Sequence, residues 1–198
     1  MARKTLFQRI RALDAGLQAV MAAYLCERLL PNYELFAEHF SVGESKVLRG
    51  VLNAVWDKLS VGKGSDWERW QEKLEAVTPD PAEHDVLGVF PAIAACTAIS
   101  SLVQGIADRE TAPLLDVAKI SQGSVSHFLE LGEFANIDDA GERLNRIEAH
   151  DLMAYELATQ EAMLEFLESQ SKVTKELVRD VRRIARDEGH SNLGLSAD

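Results

Sequence analysis

Residues Val86 to Ala107 read VLGVFPAIAACTAISSLVQGIA, 22 positions without one Asp, Glu, Lys or Arg. The 32 acidic and 21 basic residues of the chain all lie elsewhere. A helix on the surface of a protein normally keeps one polar face, so an uncharged stretch of this length implies burial on nearly all sides, in a core or a bilayer. Pro91, Thr97, Ser100, Ser101, Gln104 and two glycines interrupt its apolar character, and Asp85 and Asp108 flank it with no Lys/Arg cluster to set an orientation. The reading adopted is a central helix over about 86–107 wrapped by amphipathic helices, with no membrane span. The small residues Ala94, Ala95, Ala98 and Ser101 let neighbouring helices come close.

Outward from that stretch, periodicity is helical almost throughout. Leu6, Ile10, Leu13, Leu17, Val20 and Tyr24 recur every three or four residues, predicting a first helix that ends before Pro31, with Asn32 to Phe40 as a short second one. Ser41 with Glu44 and Ser65 with Glu68 match the capping-box spacing, which predicts helix starts near 42 and 66. Trp67, Trp70, Leu74 and Val77 form an apolar stripe in the second of these, and the proline-bearing loop 78–85 stops it. GKGS at 62–65 lacks phosphate-loop spacing and reads as a linker with a cap.

Pro113 near a helix start, followed by Leu114, Leu115, Val117, Ile120, Val125, Phe128 and Leu131, predicts a helix to about 132. Asp138 or Asp139 caps the next, with Met153, Leu157, Leu164 and Leu167 on one side and most of its surface buried. No window alternates with period two, so strands are not expected. The fold expected is all-α, a single domain over 1–198 of about eight helices, with only the last ten or so residues loosely ordered.

Charge divides the chain unevenly. Residues 130–170 hold 11 acids against two bases, which accounts for most of the net charge of −11. In the final helix, Lys172, Lys175, Arg179, Arg182, Arg183 and Arg186 occupy about a third of the circumference at 100° per residue, opposite Val173, Leu177, Val181 and Ile184. This basic stripe is the candidate partner-contacting face. It is either a solvated face or the counterpart of Glu161, Glu165 and Glu168, within the chain or across a dimer. Nucleic acid is not the expected partner: the overall charge repels a polyanion, and no aromatic side chains interleave the stripe.

Catalytic signatures are thin. Cys26 and Cys96 sit in apolar helical pattern and read as packing residues in a reducing, cytoplasmic compartment; no disulfide framework and no signal-peptide pattern is present. The five histidines are scattered, no Glu-x-x-His pair on two helices offers a di-metal site, and Glu83, His84 and Asp85 are consecutive loop residues that rarely close on one ion. No metal or cofactor is expected.

CERLLPNYELF (Cys26 to Phe36), GVFPAIAACTAISSLV (Gly88 to Val103) and EGHSNLG (Glu188 to Gly194) resemble segments of the YjaG-like family of uncharacterised bacterial proteins. His190 departs from the Glu that family more usually carries. The resemblance implies an all-helical fold and a bacterial cytoplasmic setting, and it carries no functional residue over. The function expected is that of a non-enzymatic helical interaction protein, a homodimer by preference. The alternative is an enzyme or small-ligand binder with a pocket between helices, lined by residues such as Tyr33, Trp56 and Tyr155.

Overall fold

A computed structural model describes residues 4–41, 43–187 and 189–195. Among them the chain forms nine helices and no strand: α1 (Leu6–Ala12), α2 (Ala15–Phe40), α3 (Ser45–Val61), α4 (Trp67–Val77), α5 (Val89–Asp108), α6 (Ala112–Leu131), α7 (Ala140–Glu148), α8 (Asp151–Glu168) and α9 (Lys175–Asp187). The uncharged stretch becomes α5, which packs against α2, α3, α4 and α6. By length and composition α5 could cross a membrane, but in this fold it is an inner helix with Val89, Ala92, Ala95, Ala98, Ile99, Leu102 and Val103 fully buried. Gly105 is needed where α6 approaches, since a Cβ there would stand 2.6 Å from Leu114.

α2 shares the centre with α5. Its residues Leu17 to Leu30 are buried without interruption, Glu27 and Arg28 included. Pro31 does not end it, and the two helices expected on either side of that proline are one. A proline inside a helix costs about 3 kcal/mol. Beyond it Tyr33 and Phe36 are buried at 1% and 4% exposure, and burying each large apolar side chain returns about 1.5–3 kcal/mol. Packing therefore carries the helix through.

Other boundaries differ for local reasons. The first helix breaks at Leu13 and Asp14, because Asp14 accepts from Gly16 N and caps α2. Ser41 is not a helix start but the left-handed end of α2 at φ 52°, and Glu44 precedes α3. Asp66 rather than Ser65 caps α4, accepting from Arg69 N, while the Ser65 hydroxyl accepts from Trp70 Nε1 at 3.0 Å. The single helix expected after Asp139 is two, α7 and α8, because the His150 ring accepts from Leu152 N and starts a new helix. On α8, Tyr155, Leu157 and Phe166 are exposed, so it is less buried than expected.

Most of the core is one cluster to which every helix but α7 contributes, α2, α3 and α5 most heavily. Val125, Leu129, Phe134, Ile147, Met153 and Leu193 form a smaller one under α7. Leu193 belongs to the chain end. The segment expected to be loose is docked through Ser191 and Asn192, both fully buried, and Leu193, while Gly189, His190, Gly194 and Leu195 are exposed; 196–198 lie outside the described residues.

Candidate functional site

α9 lays its apolar side, Leu177, Val178, Val181 and Ala185, against α2 and α3. The basic stripe then falls along a cleft of about 430 Å³ between α3 and α9, where Trp56, Asp57 and Ser60 face Lys175, Arg179, Arg182, Arg183 and Arg186. Lys172 lies before α9 and does not line this cleft. Of the three acids matched to the stripe, Glu161 and Glu168 clasp Arg9 of α1 within the chain.

The electrostatics of the cleft centre on Arg182. Its Nη2 donates to Asn53 Oδ1, its guanidinium lies 6.0 Å from the Trp56 ring centre, and its Nε is buried without a hydrogen-bond partner among the described residues. Burial, followed by the neighbouring charge of Arg186, lowers its pKa from the ordinary arginine value. Behind the lining residues Trp56 and Arg186 lies Glu27, whose side chain is 1% exposed; it accepts from Trp56 Nε1 at 2.8 Å and from Arg49, with Arg186 3.9 Å away. Arg179 and Arg183, 73% and 66% exposed, stand at 3.7 Å from Asp180, pairs too long and too wet to tie them down. Cations of this kind bind and orient anionic groups.

A second polar constellation went unseen in the sequence. Arg28 Nη1 lies 2.6 Å from Glu156 Oε2 with both side chains fully buried. Glu156 Oε1 also accepts from Ser121 Oγ and Gln160 Nε2, each at 2.6 Å. The docked chain end closes over it: Asn192 Nδ2 donates to Ser121 O and Ser124 Oγ, Asn192 N donates to Arg28 O, and Asn32 Nδ2 donates to Asn192 Oδ1. The available signal was weak, charged residues at 28 and 156 amid otherwise apolar helical pattern. It looks the same as a solvated face.

The residues first named for an inter-helical pocket do not converge. Tyr33 is buried, donates to Val77 O at 2.9 Å and is pushed up to about 12 by burial; Trp56 is buried on Glu27; Tyr155 is exposed on α8. Cys26 and Cys96 are buried free thiols, Cys26 pushed up by burial and Cys96 to about 11 for the same reason. His84 stacks with Phe36 and Phe40 instead of pointing with Glu83 and Asp85 at a common ion. Among the described residues no three His, Cys, Asp or Glu side chains gather as a metal site.

Comparison with known proteins places the whole architecture. The model of a family described as "Protein of unknown function (DUF416)" matches residues 5–196. An uncharacterised protein of Haemophilus influenzae is 29% identical over 196 residues, covering 98% of this chain and 97% of its own. The uncharacterised protein YjaG of Escherichia coli is 27% identical over 190 residues, covering 94% of each. The crystal structure of a DUF416 family protein from Shewanella baltica superposes with a TM-score of 0.93 at 32% identity, covering 98% of this chain and all of that one. With sequence and fold matched along nearly their full length, this chain belongs to the DUF416 family of bacterial proteins of unknown function.

Proposed function

We propose that this protein is a non-enzymatic interaction protein whose cleft between α3 and α9 seats an acidic segment of a protein partner, and that a second copy of the chain is such a partner. The observation that carries the reading is the convergence of Lys175, Arg179, Arg182, Arg183 and Arg186 on one cleft in which Asp57 and Asp187 are the acids of the lining. A net positive cleft on a chain of net charge −11 is the complement of the chain's own acid-rich part. On α8 that part presents Tyr155, Leu157 and Phe166 as exposed apolar side chains beside Glu165. The apolar side of α9 is already covered by α2 and α3, so the basic side is what remains for a mate. Free, buried Cys26 and Cys96 support a reducing, cytoplasmic setting.

Exposed charge pairs contribute only about 0.2–1 kcal/mol each, so they set orientation and encounter rate while apolar contact supplies most of the affinity. Sedimentation at micromolar concentration should show a dimer that weakens as salt rises. Arg179→Glu with Arg183→Glu, both surface positions, should shift it toward monomer. A monomer at every salt concentration, or a dimer indifferent to the double change, rejects the self-association.

A further inference from the structure

A second concavity lies between the last turns of α2 and the start of α5 and has a volume of about 590 Å³. That size lies within the range of small-molecule sites, and so does its make-up, an apolar wall with a few polar groups. Phe36, Phe40 and Phe128 supply aromatic surface, and Leu195 of the docked chain end closes one edge. Its polar members are Asn32, Glu38 and His39, and among the described residues no Lys or Arg lines it.

The polar inventory is one-sided. Asn32 is 3% exposed; its Nδ2 is committed to Asn192, while its Oδ1 is buried with no hydrogen-bond partner among the described residues. An orphaned buried acceptor is costly and marks a position that a donor would improve. Glu38, at the exposed rim, is an acceptor with a full negative charge. The faces of the phenylalanines carry the negative side of the ring quadrupole and attract cations. Only His39 can donate, and its ring accepts equally well. An anion therefore finds one donor at most, the His39 ring, beside the like charge of Glu38, whereas an apolar body with an ammonium head finds a wall, an aromatic face and a carboxylate.

We propose that this groove is a binding site for small cationic amphiphiles, an aliphatic or aromatic body carrying an ammonium group, with Glu38 at the head and Phe36, Phe40 and Phe128 around the body. The site shares no lining residue with the α3–α9 cleft.

Three probes of one chain length test it: octylammonium, 1-octanol and octanoate, titrated into the intact protein by calorimetry with amide NMR shifts as the check on location. The expected order is octylammonium tightest, by about threefold over the alcohol, with octanoate weakest. Glu38→Gln should erase the advantage of octylammonium and leave octanol unchanged. Gly88→Leu fills the groove, and it does so without straining the fold: Gly88 has φ −63° and a Cβ there meets no atom within 4 Å. It should weaken all three probes about tenfold or more while the melting temperature without ligand is kept. Octanoate binding as tightly as octylammonium, Gly88→Leu without effect, or no saturable binding by any probe overturns the proposal.

Discussion

Arg28 and Glu156 come from helices 128 positions apart in the chain, and their 2.6 Å contact is fully sealed from water. A buried pair gains little net stability over an apolar replacement, but removing one partner strands the other charge at a cost of about 3–5 kcal/mol. Arg28→Met should therefore lose that much stability in urea unfolding, and Arg28→Met with Glu156→Met should recover a large part of it. Equal losses in the single and double variants would show that packing, not charge, sets the cost. The two thiols are legible in the same way from either direction. Apolar context in the sequence and raised pKa in the fold both say that Cys26 and Cys96 are packing residues. Neither should react with a thiol reagent at neutral pH faster than the protein unfolds, and rapid labelling of the native state would contradict their burial. What the sequence hid at this scale is pairing. Arg28 and Glu156 look like any two solvated charges until the fold brings them together.

Periodicity located nearly every helix, while the breaks between helices depended on single side chains that pattern cannot rank. Asp14 and His150 each accept a backbone N–H two residues on and start a new helix inside what reads as one stripe. Pro31, the strongest breaker in the sequence, is overridden because the residues after it are needed in the core. The contact between α1 and α8 shows the same limit for charge. Glu161 and Glu168 look available to the basic stripe, yet they meet Arg9, which donates through Nε at 2.9 Å and Nη2 at 2.6 Å to Glu168. Arg9 holds the Glu168 carboxyl below its ordinary value of 4.5, against the opposing effect of burial. A depressed carboxylate contributes stability that is present above the unfolded value and lost as pH falls through the folded one. Arg9→Gln should thus melt lower than the unsubstituted protein above about pH 4.5, and the two curves should converge as the solution is made more acid. A difference that stays constant into acid would assign the effect to packing of the long Arg9 side chain instead.

Across the whole molecule the uncharged stretch gave the central helix directly, because burial on all sides excludes charge. It could not show that α2, with Gln18, Glu27 and Arg28 inside it, is buried just as thoroughly, since Glu27 and Arg28 find their partners on α3 and α8, and Gln18 finds Leu13 O in the turn before α2. The chain end is the clearest case. Read alone, a short polar segment after the last helix has no reason to be ordered. In the fold Asn192 is the keystone between α2 and α6, satisfying Ser121 O, Ser124 Oγ and Asn32 at once, while Leu193 enters the smaller core and Leu195 walls the apolar groove. Asn192→Ala leaves Asn32 Nδ2 buried without its partner and takes one bond each from Ser121 O and Ser124 Oγ, which still bond each other; each buried group so stranded costs about 1–3 kcal/mol where water cannot replace the partner. Urea unfolding should show a loss of a few kcal/mol. Amide exchange should quicken first around Ser121, Ser124 and residues 189–195, with the α2–α5 contact still protected, because the defect sits at one end of the core. A loss spread evenly over the molecule would mean that the chain end is an integral strut of the whole fold and not a clasp on one side of it.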